Sequence, residues 1–521
     1  MQKNKLITLV LIVLALPGLN YAQISMPPVF SDAMVLQRHK PIPVWGKAED
    51  NASLSVHLTD AKGNTIASSQ GWADKDGRWE VHLQAVEAGG PYRLVVTTRE
   101  DTLQLQNVLV GEVWVASGQS NMAFPLRSGK HGQEAIEKAN YPQIRLFRME
   151  RKYSQSAQAF SKAQQKKINA GDFYRTVGWE KCTPDAASSF SAVAFYFARR
   201  IHQKLGIPVG IIQNAVGGSP TQAWISKKAL ANSPQLKHFV IQEEGETWLD
   251  IKKIHPFIIS RAKINMQLSL QDSVEQGRLP RYPFAPGYLY EEGIEPILGY
   301  GIRGVIWYQG ESNAIYPEQH QQLFTLLINN WRDQWGIGPF PFYYVQLPGI
   351  AGRSRWPEFR EGQREVLALP NTGMAVTIDV GNPHNVHPKR KRPVGQRLAR
   401  IALAKTYGFD IEYSGPKMAG WELKEDVITL TFTHAGKGLN VSNGEQLKGF
   451  VLQGYIDEGS KEVIIQPKNI TVKENMITIP IPDDLVVTTI KYGWAPNPAC
   501  NLVNMEGLPA SPFRIKLSGS F

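Results

Sequence analysis

Four short runs of nearly all apolar residues constrain the fold of this chain more than any other feature. They span residues 113–116, 209–212, 305–308 and 375–378. A strand that is covered on both faces is apolar throughout, whereas a strand with one face in water alternates between apolar and polar residues. Helical patterns lie between the runs, as they do in βαβ units. The runs therefore predict a parallel sheet that is covered by helices on both faces.

Three helices are predicted within the same part of the chain. Residues 191–205 and 320–335 carry apolar side chains at helical spacing, and each stretch stops at a glycine. Residues 393–407 begin with a proline in the first turn and also stop at a glycine. Residues 230–290 contain a helical pattern over 258–270 and then become loop-rich, which predicts an insertion.

The regions before and after this α/β part have the pattern of β structure. Short strand candidates, separated by glycines, have the spacing of a small β-sandwich in the first region. The candidates are residues 44–45, 54–58, 79–83 and 92–96 in the first region and 427–432, 449–454, 462–465 and 476–481 in the second. We predict three domains: an N-terminal β-sandwich at 23–107, an α/β/α parallel-sheet domain at 108–411 and a C-terminal β-rich region at 412–521.

The first 22 residues have the features of a secretory signal peptide. Lys3 and Lys5 precede an apolar run from Leu6 to Pro17, and the stretch ends on Ala22. That run of about 12 residues is shorter than the roughly 20 that a spanning helix needs. No cysteine lies near the cleavage point, so no membrane anchor is expected. The sequence predicts cleavage near Ala22 and a periplasmic or secreted protein.

The composition excludes several classes of protein. With 42% hydrophobic and 20% charged residues the chain is globular and not disordered. Two cysteines, Cys182 and Cys500, cannot form a disulfide framework or a zinc site made of cysteines alone. The net charge of +11 suits an acidic substrate, although basic runs such as residues 389–392 are expected to be solvated surface. No nucleic-acid-binding motif occurs, so nucleic acid is not an expected partner.

Polar residues and glycines follow the first two apolar runs, where ligands bind in open α/β sheets. Ser120 follows the first run on a tight turn, either as an exposed nucleophile or as a helix N-cap. No window of the chain matches G-x-S-x-G, which argues against the common α/β-hydrolase elbow. After the second run, Gly217 and Gly218 either present backbone N–H groups to a ligand or form a plain turn.

The third and fourth runs are followed by side chains that suit acyl transfer. Gln309 and Asn313 are candidate oxyanion donors, and Glu311 between them is a candidate for orienting a histidine, unless the string is only an exposed loop. His387 follows the fourth run and is either a base for a serine or a surface histidine. His384 lies three residues earlier, but flanking prolines disfavour a helix there, so no metal site is predicted.

These strings together resemble the bacterial sialate O-acetylesterases, within the wider SGNH (GDSL-like) hydrolase superfamily. Gly118-Gln119-Ser120-Asn121-Met122 resembles the family's first block, Val216-Gly217-Gly218 its second, Trp307-Tyr308-Gln309-Gly310-Glu311-Ser312-Asn313 its third and His387-Pro388 its last. Strings near both ends, such as Pro43-Val44-Trp45-Gly46 and Tyr492-Gly493-Trp494, extend the resemblance over nearly the whole mature chain.

The resemblance implies an SGNH-type serine esterase that removes O-acetyl groups from sugars without a metal or organic cofactor. Ser120 would be the nucleophile, His387 the base and Gly218 an oxyanion donor. The implied substrate is O-acetylated sialic acid, with acetylated xylan or another hemicellulose as the alternative. A non-catalytic carbohydrate-binding protein is the alternative of another class. Arg127 is either a partner of the sugar carboxylate or a surface arginine.

The third member of the catalytic triad is open at this level. Many SGNH enzymes carry an aspartate two or three residues before the histidine, where this chain has Asn385 and His384. Glu311, Asp379 or a backbone carbonyl can orient His387, and we favour Glu311. The sequence does not indicate an oligomeric state.

Overall fold

The protein has a mixed α/β fold with a large central sheet, described in a computed structural model for residues 23–274, 279–444, 446–456 and 461–517. The predicted signal peptide, residues 1–22, lies outside the described residues. The strands are β1 Val35–Gln37, β2 Ile42–Lys47, β3 Ser53–Thr59, β4 Thr65–Trp72, β5 Arg78–Leu83, β6 Gly89–Thr98, β7 Thr102–Gly118, β8 Tyr141–Arg151, β9 Tyr174–Arg175, β10 Trp179–Cys182, β11 Val209–Ala215, β12 Gly304–Tyr308, β13 Phe342–Val345, β14 Thr372–Ala375, β15 Lys417–Lys424, β16 Val427–Thr433, β17 Leu439–Val441, β18 Phe450–Ile456, β19 Lys461–Ile465, β20 Thr471–Lys473, β21 Met476–Pro480, β22 Val486–Tyr492, β23 Leu502–Asn504 and β24 Phe513–Lys516.

The α-helices lie mainly between the strands of the central sheet. They are α1 Ser120–Ala123, α2 Gly132–Glu137, α3 Lys162–Asn169, α4 Pro184–Ser189, α5 Ala192–Leu205, α6 Lys227–Asn232, α7 Pro256–Val274, α8 His320–Trp335, α9 Trp356–Glu365 and α10 Lys391–Lys405. Ser191 caps α5 by accepting a hydrogen bond from the Ala194 amide, and α5 and α8 both end at a glycine in the left-handed conformation. The helices predicted from residues 191 and 320 are confirmed, and the third begins two residues earlier than predicted. None of the helices in the described part of the chain combines the length and apolar character that crossing a bilayer requires.

The core of the central sheet runs in the order β10-β8-β11-β7-β12-β13-β14. All neighbouring pairs from β8 to β14 are parallel, and β10 is an antiparallel edge strand. Side chains along β7 alternate between two apolar cores: Val113 and Val115 join one, and Trp114 and Ala116 join the other. Helices α5 and α10 contribute to the second core and α8 to the first. The prediction of a parallel sheet covered on both faces is therefore confirmed.

Two details of the sheet differ from the prediction. The fourth apolar run, 375–378, contributes only its first residue to β14, and a 3-10 turn, Ile378–Val380, follows. Strands β8 and β13 were not predicted. Arg145 interrupts the apolar run of β8, yet it is buried because its guanidinium donates to the Ala33 carbonyl and to Asn107. These hydrogen bonds offset part of the cost of burying the cation, while burial still lowers the pKa of Arg145 to about 10.

The boundary predicted at residue 107 falls inside a single strand, β7. Exposure alternates residue by residue over the first six residues of β7, and the remaining eleven are all buried. The N-terminal strands β1 and β6 pair with β7 directly, so they extend the same sheet. The change in sequence pattern near residue 108 therefore coincides with a change of surroundings along one strand.

A buried carboxylate ties the N-terminal region to the central sheet. Glu112 on β7 is fully buried and lies 2.6 Å from the guanidinium nitrogens of both Arg38 and Arg303. Burial raises the pKa of Glu112, but the hydrogen bonds and charges of the two arginines outweigh it and hold the pKa below its usual value. The two cations thus keep this carboxylate ionised at the end of the sheet opposite Ser120.

The C-terminal region has its own apolar core between two four-stranded sheets. The sheets are β15-β16-β21-β20 and β19-β18-β22-β24, and the predicted strands of this region are confirmed within two residues at their ends. The predicted boundary at residue 412 falls between α10 and β15. Cys182 and Cys500 are both free.

Candidate active site

The turn after β7 places Ser120 at the carboxyl end of the central sheet. Gly118 has φ +132°. The backbone N–H of the next residue, Gln119, donates to the Tyr308 carbonyl of β12 at 2.9 Å. A β-carbon at Gly118 would lie 2.2 Å from that same carbonyl oxygen. The Val216 amide donates to the Gly118 carbonyl from the other side at 3.0 Å. Two neighbouring strands therefore hold the turn, and only glycine fits at its start.

Ser120 and His387 meet at this edge of the sheet. The Nε2 atom of His387 lies 2.8 Å from the Ser120 hydroxyl oxygen. Burial and the nearby Lys391 ammonium lower the pKa of His387, which favours the neutral ring. A neutral imidazole with an unprotonated Nε2 can accept the serine proton. The two residues thus form the contact that a serine nucleophile and its base require.

None of the three candidate orienting groups bonds to the other ring nitrogen of His387 in the described chain. Glu311 accepts a hydrogen bond from Asn121 at 2.5 Å instead. Asp379 is engaged by both guanidinium nitrogens of Arg397, at 2.6 and 2.7 Å. The Asn385 side chain accepts from the backbone amide of His387 at 2.8 Å, which shapes the loop and leaves the ring free. The direct Glu311–His387 contact that we predicted is therefore not made.

A polar cluster that the sequence did not reveal lies behind Ser120. The Asn121 side-chain amide donates to Glu311 and, at 2.9 Å, to the backbone carbonyl of Val386, and its carbonyl oxygen accepts from Lys391. Lys391 is 1% exposed, so the expectation that the basic run 389–392 is all solvated surface is wrong for this residue. The other three residues of the run are exposed. The one signal for Asn121 in the sequence is its position directly after Ser120.

Backbone amides near Ser120 are available to bind an oxyanion. The N–H groups of Ser120, Gly217 and Gly218 donate to no other atom of the described residues. Gly217 faces Ser120, because a β-carbon there would lie 3.4 Å from the Ser120 β-carbon. Gly218, the predicted donor, has φ +83°, and its carbonyl accepts from the Ser312 hydroxyl at 3.0 Å. The structure thus adds Gly217 to the candidates for the oxyanion site.

The two amide side chains predicted as oxyanion donors have internal partners instead. Gln309 donates to the Ser219 carbonyl at 3.2 Å and to the Asn313 oxygen at 2.8 Å, so both of its N–H groups are engaged. Asn313 donates to Gln222 at 3.1 Å and accepts from Thr221. Both are buried, and they join the loop after β12 to the 3-10 turn Thr221–Trp224. Their position favours a role in bracing the site over direct contact with substrate.

A cleft of about 450 Å³ opens over Ser120 and His387. Three guanidinium groups line it: Arg127, Arg148 and Arg151. Arg127 is exposed, and its guanidinium bonds to no described residue, whereas Arg148 donates to the Ser189 hydroxyl at 2.7 Å. The one carboxylate in the lining, Glu150, is paired with Arg175. The cleft is therefore a positively charged pocket beside a serine–histidine pair.

Two aromatic side chains, one in the 3-10 turn Thr221–Trp224 and one at the end of β12, belong to the apolar cores. Trp224 and Tyr308 are fully buried in the two cores, so neither ring is available to stack on a sugar. The described residues contain no group of three or more histidine, cysteine or carboxylate side chains placed to hold a metal ion.

Comparison with known proteins places this arrangement among carbohydrate esterases. A family model described as "Carbohydrate esterase, sialic acid-specific acetylesterase" matches residues 110–242 and 285–404. The sialate O-acetylesterase of Rattus norvegicus is 26% identical over 442 residues, which are 77% of each chain. The human sialate O-acetylesterase is 25% identical over 519 residues, 92% of this chain and 90% of that one. A solved carbohydrate acetylesterase from Xanthomonas citri is 30% identical and superposes with a TM-score of 0.74, covering 95% of this chain and 99% of that chain.

Proposed function

The chain belongs to the sialic acid-specific acetylesterase family of carbohydrate esterases, and from this premise we propose that it hydrolyses the O-acetyl esters of an acidic sugar, O-acetylated sialic acid. The observation that carries the choice of substrate is the set of three arginines in the cleft over Ser120. A planar guanidinium binds a carboxylate through two parallel hydrogen bonds, and sialic acid is a carboxylate sugar.

The proposed first step is acyl transfer to Ser120. The Ser120 oxygen attacks the acetyl carbonyl carbon while His387 Nε2 takes its proton, and the 2.8 Å contact supports this assignment. The negative charge that forms on the carbonyl oxygen is bound by the amides of Ser120 and of Gly217 or Gly218. Losing one such donor typically costs about 2.7–4 kcal/mol of barrier.

The intermediate then collapses and water completes the reaction. His387 gives its proton to the sugar oxygen, so the bond to that oxygen breaks and the deacetylated sugar leaves with a free hydroxyl. His387 next takes a proton from water as the water oxygen attacks the acetyl-serine. Breakdown of the second tetrahedral intermediate releases acetate and returns the proton to Ser120. Each step uses only this chain's residues and water.

Arg127 is the guanidinium best placed to bind the substrate carboxylate. The Arg127 guanidinium makes no hydrogen bond to another described residue. Arg148 and Arg151, in contrast, already donate to Ser189 and Gln155. An exposed, unengaged cation at the rim of the cleft can close on an anionic sugar without losing a protein contact. We assign to Arg148 the supporting role of raising the potential in the cleft.

Acetate release tests the function and the substrate together. The purified protein would be offered 9-O-acetylated sialic acid, acetylated xylan and an aryl acetate, with Ser120→Ala as the inactive control. Arg127→Gln is expected to raise KM for the sialic acid by about 10- to 100-fold, the value of a lost charge-assisted contact, and to leave the neutral aryl acetate unaffected. Arg200→Gln, an exposed arginine outside the cleft lining, is the matched control.

Each outcome of this experiment assigns the protein differently. Release from xylan but not from sialic acid would keep the mechanism and move the substrate to hemicellulose. Release from none of the three would leave a carbohydrate-binding protein without catalysis. Equal loss for sialic acid and the aryl acetate in Arg127→Gln would contradict the carboxylate contact.

We further propose that the protein is exported, with residues 1–22 as its signal peptide. The positive start, short apolar run and small residue at position 22 support this proposal. The N-terminal region is proposed to be a small sandwich in which the pair β2–β5 covers β3, β4 and β6. Val44 and Val81 on one side and Leu54 and Val56 on the other share one apolar core, which supports the sandwich.

A further inference from the structure

Lys391 is buried behind the nucleophile, at a position that is costly for a cation. It is the first residue of α10, where the helix dipole disfavours positive charge, and it is 1% exposed. Its ammonium lies 4.8 Å from the ring centre of Phe124 and 5.3 Å from that of Tyr308. Burying an ion is strongly unfavourable unless partners compensate its charge. The residues that compensate the buried ammonium therefore indicate its role.

The partner that Lys391 bonds directly is Asn121, the residue after the nucleophile. Lys391 Nζ donates to the Asn121 side-chain oxygen, while the Asn121 amide group donates to Glu311 Oε1 at 2.5 Å and to the Val386 carbonyl at 2.9 Å. One carboxamide thus lies between a buried cation and a carboxylate and also fastens the residue that precedes His387. The other carboxylate oxygen of Glu311 is buried and has no hydrogen-bond partner in the described chain.

We propose that Lys391 is a positioning residue of the esterase, whose ammonium, with Glu311, locks the Asn121 carboxamide onto the Val386 carbonyl and thereby sets His387 against Ser120. An asparagine amide can turn about its last bond, and exchange of its oxygen and nitrogen would break the bond to Val386. A cation at the oxygen and an anion at the nitrogen permit only one of the two orientations. This inference rests on the proposed function of Ser120 and His387.

The charged and titratable groups that face Lys391 come from three different segments. They are Glu311 from the loop after β12, Tyr308 from the end of β12 and His387 from the loop before α10. Burial lowers the pKa of Lys391, and the Glu311 charge opposes that shift. Burial raises the pKa of Glu311, opposed by the Asn121 hydrogen bond, and burial raises that of Tyr308 well above its usual value. Lys389, Arg390 and Arg392 on the same turn are exposed.

The cation also acts on His387 through space. After burial, the Lys391 charge is the second cause that lowers the pKa of His387. Removing that charge leaves burial alone and an uncompensated Glu311, so the pKa of His387 rises. A base that is neutral only at higher pH shifts the acid limb of kcat/KM to higher pH. A side chain that merely filled space would not move this limb.

The test compares Lys391→Met with Arg392→Met, its exposed neighbour, over a pH series with an aryl acetate. Lys391→Met is expected to lower kcat by about 100-fold, the typical cost of misplacing a catalytic group, with little change in KM, and to move the acid limb upward. Arg392→Met is expected to match the wild type. The double variant Lys391→Met/Glu311→Gln should lose less activity than the two single variants predict if their effects on kcat were independent. Both side chains act on the same carboxamide, that of Asn121.

Three results separate this inference from the proposed function. Loss of activity in Ser120→Ala with an unchanged pH profile and kcat in Lys391→Met overturns the role of Lys391 alone. Full activity in Ser120→Ala overturns the proposed function instead. If Lys391→Met lacks a cooperative thermal transition, Asn121→Ser serves in its place, since it removes the bridge and leaves both charges. An unchanged kcat in Asn121→Ser would also overturn the proposal.

Discussion

His387 Nε2 lies 2.8 Å from the Ser120 hydroxyl although 267 positions separate the two residues in the chain. The contact depends on two loops that leave the same edge of the parallel sheet. From it we expect Ser120→Ala to lose roughly 10⁴- to 10⁶-fold in kcat on an aryl acetate, as removal of a serine nucleophile does elsewhere. The thermal transition should stay at the wild-type temperature, because the Ser120 hydroxyl bonds to His387 alone among the described residues. A variant that kept more than a tenth of the activity would contradict the assignment.

The pH dependence of the wild-type enzyme follows from the surroundings of His387. Burial and the Lys391 charge both lower its pKa, so the ring stays neutral and competent as a base below the usual histidine value of about 6.5. The acid limb of kcat/KM should therefore lie on the acid side of that value. Initial rates of acetate release over a pH series at constant ionic strength measure the position of this limb. An acid limb above the usual histidine value would show that the contact to His387 is arranged differently in solution.

Gly118→Ala should destabilise the nucleophile turn and abolish activity. Its β-carbon would lie 2.2 Å from the Tyr308 carbonyl oxygen, which belongs to the backbone of the neighbouring strand and cannot move aside. Gly206→Ala is the matched control, because Gly206 also has positive φ (+68°) but no atom of the described residues lies within 4 Å of the added carbon. The control isolates backbone strain, of order 1–3 kcal/mol. Thermal melts and kcat of both variants test the difference, and equal behaviour would refute the steric argument.

Glu112→Gln should destabilise the protein by about 3–5 kcal/mol, because it removes the buried partner of two half-buried arginines. Arg38 and Arg303 both lie 2.6 Å from this carboxylate. Urea unfolding measures the loss, and the folded enzyme should retain its kcat because the pair is at the far end of the sheet. Glu134→Gln, which removes an exposed pair with Lys138, is the control and should change little.

The same carboxylate makes a contribution to stability that depends on pH. The folded-state pKa of Glu112 is lowered, so its stabilising effect is present above the unfolded value and is lost as pH falls through the folded value. The stability difference between wild type and Glu112→Gln should therefore shrink on acidification. A difference that grew as the pH fell would contradict this sign.

Much of the sheet and its reactive edge could be predicted from local patterns. A parallel strand buried on both faces is apolar throughout, and the residues after it must be polar or small to form a site. These are properties of short stretches, so they led to β7, β11 and β12 and to Ser120, Gly217, Gly218 and His387. The strands β8 and β13 escaped because Arg145 interrupts the apolar run of β8, and β13 begins directly after Pro341, a residue type that weakens a strand pattern.

The sequence by itself determined the parallel-sheet fold class, the turn glycines and the positions of the serine and histidine, because each depends on near neighbours in the chain. Only the tertiary structure decided how these groups work together. It buried Lys391 against Asn121, turned Gln309 and Asn313 toward each other, directed Glu311 away from His387 and carried β7 through two environments. Those outcomes depend on contacts between residues up to 270 positions apart, where burial and partner charge, not residue type, set the role of a side chain.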